Sequence, residues 1–115
     1  MPAGSISASS AEHYEWGAGC DGWRLAKTAT LSVIEERMPP GTAEVRHWHA
    51  RATQFFYVLH GVLSMEVEDV MHDIGANEGI EIPTGTAHQA RNTSGGDVRF
   101  LVISSPPHQG DRRDA

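Results

Sequence analysis

Between Gly41 and Gly61 the chain reads GTAEVRHWHARATQFFYVLHG, and the reading of this stretch decides the fold. His47 and His49 stand two apart, Gln54 follows, and a glycine closes each end. In an extended strand alternate side chains share a face, so the spacing predicts that both imidazoles project together. A third histidine, His88, lies in a second bounded stretch, PTGTAHQARN, from Pro83 to Asn92. Three imidazoles and an amide oxygen around one point suit a divalent transition metal with positions left for water or substrate.

Outward from these stretches the texture stays the same. TLSVIEERM runs to the Pro39-Pro40-Gly41 turn, VLSMEVE and VMHDI flank a turn near Glu68-Asp69, and GIEIP stops at Pro83. TSGGD (Thr93 to Asp97) reads as a hairpin-like turn, and VRFLVIS as the last strand. Many short extended runs cut by glycine and proline, with no useful helical period, predict an all-β sandwich or barrel in a single domain. The expected layout is an N-terminal extension over residues 1–22, partly irregular, a β-barrel over 23–105, and a polar C-terminal tail over 106–115. Within the extension, Met1 to Ser10 is expected to be loosely draped, and HYEWGAGCDGW to be an irregular loop.

The strand QFFYVLH carries extra information. Phe55, Tyr57 and Leu59 fall on one face; Gln54, Phe56 and Val58 fall on the other. A small barrel's strand is normally polar outside, so an apolar outer face calls for a cover. A second copy of the chain is the simplest cover, which predicts a homodimer; the alternative is the N-terminal segment folding back. Trp48, out of phase with His47 and His49, is expected to join that outer surface.

Composition narrows the partners. The 115 residues carry a formal charge of −6, with a pI near 5.5, which argues against nucleic acid and against an anionic membrane. Arg112-Arg113, the one basic cluster, is diluted by Asp111 and Asp114 and reads as a solvated tail. No apolar run approaches the roughly 18 residues of a membrane helix, and no secretory signal opens the chain. A lone cysteine, Cys20, fits a reducing compartment. The expectation is a cytoplasmic protein with a small-molecule partner.

At this point the two stretches resemble a known family. The first resembles cupin motif one, G-x5-H-x-H-x(3,4)-E-x6-G, through Gly41, His47, His49, Gln54 and Gly61, with glutamine where glutamate is usual. The second resembles cupin motif two, G-x5-P-x-G-x2-H-x3-N, through Pro83, Gly85, His88 and Asn92, with Asn77 in the first glycine position. The resemblance implies the cupin double-stranded β-helix, or jelly-roll barrel. It implies metal ligation by His47, His49, Gln54 and His88, and structural roles for Gly41, Gly61, Pro83, Gly85 and Asn92. A glutamine at this place is also similar to that of some zinc-type cyclases of the family.

Gln54 bears on the chemistry directly. A glutamate would lend one negative charge; a glutamine ligates through a neutral carbonyl oxygen, so the site keeps the ion's full charge. That favours Lewis-acid or acid-base chemistry over oxidation. Ligand type alone leaves zinc, nickel, iron(II) and manganese(II) open. Phe56, Val45 and Ala90 share phase with the ligands, and Phe100 and Met65 are further candidates to line the cavity. Arg91 and Tyr14 are candidates to reach a substrate carboxylate or carbonyl. His13, His60, His72 and His108 fit no ligand spacing and are expected on the surface, and Glu35, Glu36 and Arg37 as a charged strand edge. Three functions follow. The first is a metal-dependent isomerase, cyclase, lyase or hydrolase on an oxygenated metabolite. The second is an iron(II) dioxygenase, and the third a binding or sensor module without catalysis.

Overall fold

The computed structural model describes residues 3–115; the expectation for Met1 and Pro2 lies outside the described residues. Among the described residues eleven strands follow one another: β1 (Glu12–Trp16), β2 (Cys20–Lys27), β3 (Ser32–Met38), β4 (His47–His49), β5 (Thr53–His60) and β6 (Leu63–Val67). Then come β7 (Val70–Ile74), β8 (Gly79–Ile82), β9 (His88–Arg91), β10 (Val98–Ser105) and β11 (Arg112–Asp114). They pair antiparallel in two sheets, ordered β1-β2-β3-β10-β5-β8 and β11-β4-β9-β6-β7. After β3 the chain crosses from one sheet to the other at every step except the β6–β7 hairpin. This is the all-β jelly roll expected from the sequence. No helix among the described residues is long and apolar enough to cross a membrane.

The core lies between the sheets and is read off by period two. On β10, Val98, Phe100, Val102 and Ser104 are buried, and the residues between them are half-buried. Phe56 and Val58 of β5, Leu63 and Met65 of β6, Ile82, and Ala90 complete the packing. The Glu68-Asp69 turn is confirmed, with φ of 46° and 69°, the left-handed pair that a two-residue type I′ hairpin requires. Gly61 closes the first motif at φ +81°, where a Cβ would lie 2.4 Å from the Asp97 carbonyl oxygen. Only glycine permits that approach. Asn77, in the motif's glycine position, sits at φ 67°, a conformation asparagine tolerates better than other side chains do.

Four expectations are corrected. HYEWGAGCDGW is a β-hairpin, Trp16 pairing with Cys20 across Gly17-Ala18-Gly19, and it extends the sheet beside β3. Its three glycines masked an alternation in which Tyr14 and Trp16 are half-buried while His13 and Glu15 are exposed. The 106–115 tail turns back, and Arg112, Arg113 and Asp114 pair with His49, Trp48 and His47. Its side chains are polar because β11 is an exposed edge strand, which leaves no hydrophobic alternation to detect. Trp48 does not join the Phe55 surface, because β4 belongs to the other sheet. Thr93 to Asp97 links the two sheets instead of closing a hairpin, clamped by the Asn92 amide, which donates to the Met38 and Gly96 carbonyls.

Candidate metal centre

β4 carries His47 and His49 on one face, both buried, and β9 begins with His88 directly opposite His47. Their rings stand 4.6 to 5.8 Å apart, and one nitrogen from each lies within 4.8 Å of the others. Every Nδ1 is already committed. His47 Nδ1–H donates to the Val45 carbonyl at 2.7 Å, His88 Nδ1–H to the Thr86 carbonyl at 2.9 Å, and His49 Nδ1–H to Asp111 Oδ1 at 2.8 Å. Carbonyls and a carboxylate only accept, so each Nδ1 carries a proton, and Nε2 is the atom that in the neutral ring keeps a lone pair for a ligand. His49 Nε2 and His88 Nε2 are buried with no partner among the described residues.

Gln54, on β5, lines the same cavity as His47 and His49. Its amide nitrogen donates to Ser104 Oγ at 3.1 Å, which leaves Oε1 buried and unpartnered. Buried polar atoms left unpaired are costly and rare. Here the three are acceptors, the donor set that a borderline divalent ion takes. Burial pushes the His47 imidazole down to about 3, against the pull of the Val45 carbonyl, and burial likewise lowers His88. These rings are neutral at neutral pH, as ligation requires.

Asp111 is the residue that sequence reasoning missed most. It is 1% exposed and holds His49 through Oδ1, while Oδ2 accepts the Arg51 and Ala52 backbone N–H groups at 3.0 and 2.8 Å. Burial raises its carboxyl, but these hydrogen bonds outweigh burial and hold it below the usual carboxylate value. A carboxylate behind a ligating histidine fixes the ring's tautomer and orientation.

The site opens into a cavity of about 350 Å³, in the range of small-ligand pockets. Tyr14, Trp16, Glu36 and Glu44 also line it, together with Phe56 and His108. Tyr14 reaches the cavity because Gly22 makes room; a Cβ there would fall 2.2 Å from Tyr14 Cζ. The Arg24 guanidinium lies 4.3 Å over the Tyr14 ring on the hairpin, and Tyr14 Oη donates to Glu36 Oε2 at 3.4 Å.

Burial, reinforced by the charge of Glu44, raises the Glu36 carboxyl to about 8, and burial raises Glu44 to about 7. The folded value of Glu36 therefore lies above its ordinary 4.5. Its contribution to stability is fully present below that ordinary value and is lost as pH rises through about 8. Replacing it with Glu36→Gln is expected to leave stability unchanged near pH ~5 and to raise it near pH ~9. Denaturant titrations at the two pH values check this; an equal effect at both would place Glu36 outside the cavity wall.

The remaining sequence candidates separate clearly. Phe56 lines the cavity, as does Val45 at its mouth, and Tyr14 is in the wall. Phe100 and Met65 are fully buried in the core and are absent from the cavity lining, although Phe100 packs on Phe56 at 6.0 Å. Arg91 falls between the inward positions of β9 and donates to Gln89 Oε1 instead of reaching the cavity. Glu36 is not an outer edge charge: it shares the inward phase of Ile34 and Met38, while Glu35 and Arg37 pair outward with Arg99 and Asp21. His108 is not a surface residue either. It lines the cavity with its ring 5.5 Å from that of His49, and burial lowers it to about 4. His13, His60 and His72 are exposed, as expected.

A two-sheet antiparallel barrel with three convergent buried histidines defines a class of small β proteins able to hold a metal ion. The chain belongs to the Cupin domain family, whose profile matches residues 34–104. It is similar to SchB of Streptomyces halstedii, 30% identical over 67 residues, covering 58% of this chain and 49% of that protein. It is also similar to the polyketide synthase CurC of Streptomyces cyaneus, 29% identical over 69 residues, covering 60% and 45%. The match spans about half the length of these relatives. Among solved structures, the polyketide cyclase RemF from Streptomyces resistomycificus superposes with a TM-score of 0.87, covering 99% of this chain and 86% of that one. At 18% identity that likeness shows the fold alone.

Proposed function

We propose that the protein is a metal-dependent enzyme of Lewis-acid type acting on a carbonyl-bearing metabolite, with His47, His49, His88 and Gln54 as the ligands. The observation that carries the reading is the set of unpartnered buried acceptors, each fixed from behind by a hydrogen bond. A zinc, nickel, iron(II) or manganese(II) ion bound there would supply electrostatic stabilisation of negative charge on a carbonyl oxygen. The wholly neutral donor set favours this over oxidation.

The chain's own residues supply the proton chemistry. Glu44, near 7, is poised to take a proton from a carbon next to a carbonyl. Glu36, protonated at neutral pH, returns one to the oxygen of the carbonyl that is attacked. Phe56, Trp16 and Val102 give that reaction an apolar wall. The names of CurC and RemF support a substrate with several ketones, in which loss of one proton and attack on a second carbonyl close a ring. Elemental analysis of untagged protein, followed by incubation of the loaded protein with a 1,3-diketone in deuterated water, tests this. About one zinc or nickel per chain and deuterium exchange well above buffer is the expected result. One iron per chain with substrate-dependent oxygen uptake would install the dioxygenase instead, and no metal after reconstitution would leave a binding module.

We also propose that the protein is a homodimer through the outer face of the six-stranded sheet. Phe55 and Leu59 are 39% and 40% exposed there, beside half-buried Tyr57, Leu101 and Ile103. The N-terminal hairpin lengthens that sheet instead of covering the face. Leu59→Asp is expected to weaken the dimer by about 100-fold or more, since it buries an unpaired charge. Sedimentation equilibrium of both proteins decides it, and a monomeric parent would end the idea.

A further inference from the structure

We infer that His108 is a hydrogen-bond donor to the substrate, and that Gln54 dictates its tautomer through Ser104. The relay is short and buried. Gln54 Nε2 lies 3.1 Å from Ser104 Oγ, and Ser104 Oγ lies 3.0 Å from His108 Nδ1. Ser104 itself is 0% exposed, so no solvent competes for its hydroxyl.

The directions follow from what each group can do. An amide nitrogen only donates, so Ser104 Oγ accepts from Gln54. The serine then has one proton to place, and the remaining neighbour is His108 Nδ1. That nitrogen accepts, and the ring carries its proton on Nε2. A doubly protonated ring would leave the buried serine proton with no acceptor, which costs about 1–3 kcal/mol. His108 lines the cavity shared by His47 and His49, so Nε2–H is available to an oxygen on which negative charge develops.

Gln54 thus acts in two directions at once. Its carbonyl oxygen faces the ligand set as a neutral donor, and its amide polarises a chain ending in a second electrophile. A glutamate at this position would reverse the chain. The carboxylate would accept the Ser104 proton, Ser104 would accept from His108 Nδ1–H, and Nε2 would become a base. The substrate role rests on the proposed carbonyl chemistry, whereas the tautomer does not depend on it.

The test is long-range nitrogen–proton correlation NMR on the full chain labelled with ¹⁵N-histidine, metal-free and zinc-loaded, with His108→Gln to assign the signals. The expected pattern is the Nε2–H tautomer of His108 in both forms. Nδ1–H or a doubly protonated ring at neutral pH overturns the inference. In Ser104→Ala the fixed tautomer is expected to give way to a mixture, and an unchanged pattern in a folded variant also overturns it. Gln54→Glu provides an independent reading, expected to move the proton to Nδ1; retention of Nε2–H overturns the relay. Failure of zinc to bind would sink the metal reading while leaving the metal-free tautomer result standing. In the loaded protein His108→Gln is expected to slow deuterium exchange about 100-fold with zinc per chain unchanged; unchanged exchange would remove the substrate contact.

Discussion

Asp111→Ala is expected to destabilise the metal-free protein by about 3 kcal/mol and to weaken zinc binding about 10- to 100-fold. The carboxylate is almost wholly buried and meets three N–H groups, two from the backbone of the β4–β5 connection and one from His49. Its removal strands all three, and each buried donor left unpaired costs about 1–3 kcal/mol. It also frees the His49 ring to turn, so its Nε2 is no longer held among the other ligands. The carboxyl lies below its ordinary value in the fold, so its contribution is present above about pH 4 and fades as pH falls through the folded value. Chemical denaturation with chelator present, and zinc titration against a competing chelator, measure the two effects. A loss under about 0.5 kcal/mol with unchanged zinc affinity would reduce Asp111 to a surface-like residue.

The same residue shows where the sequence stopped being legible. His47 and His49 were visible because a strand repeats every two residues, a local rule. Asp111 meets His49 across 62 residues of chain, and nothing in QGDRRDA distinguishes a returning edge strand from a solvated tail. His108 was hidden for the same reason, since the turn that aims it into the cavity is closed by Asp111 N–H donating to the His108 carbonyl. Phase alone gave the face of a strand but not the depth along it. Phe100 and Met65 point inward yet sit in the packed core, while Phe56, on the next strand, reaches the cavity. Arg91 is three residues from His88, an odd step that places it on the opposite face of β9. Glu36 failed differently. A charged triplet reads as an exposed edge, but the buried residues Ile34 and Met38 on either side put Glu36 inward, where only a cavity accommodates it.

His88→Ala is expected to abolish metal retention, and Gln54→Glu to keep the metal while changing which ion is preferred. His88 is fully buried, and its Nε2 has no hydrogen-bond partner among the described residues. Deleting it leaves two imidazoles and a neutral amide, a weak donor set with no anionic ligand to hold the ion. Gln54→Glu keeps the oxygen but makes it an anionic, harder donor at the ligand set, which suits manganese(II) and iron(II) better relative to zinc than a neutral amide does. The same substitution reverses the hydrogen bond with Ser104, because a carboxylate only accepts, and it places a charge at a buried position. The variant should therefore bind iron(II) and manganese(II) more competitively against zinc, at some loss of stability. Elemental analysis of each variant reconstituted from an equimolar mixture of the ions reads both effects. A full equivalent of metal on the His88→Ala protein would refute the ligand assignment. An unchanged ion preference in Gln54→Glu would show that Gln54 stands behind the ligands and not among them.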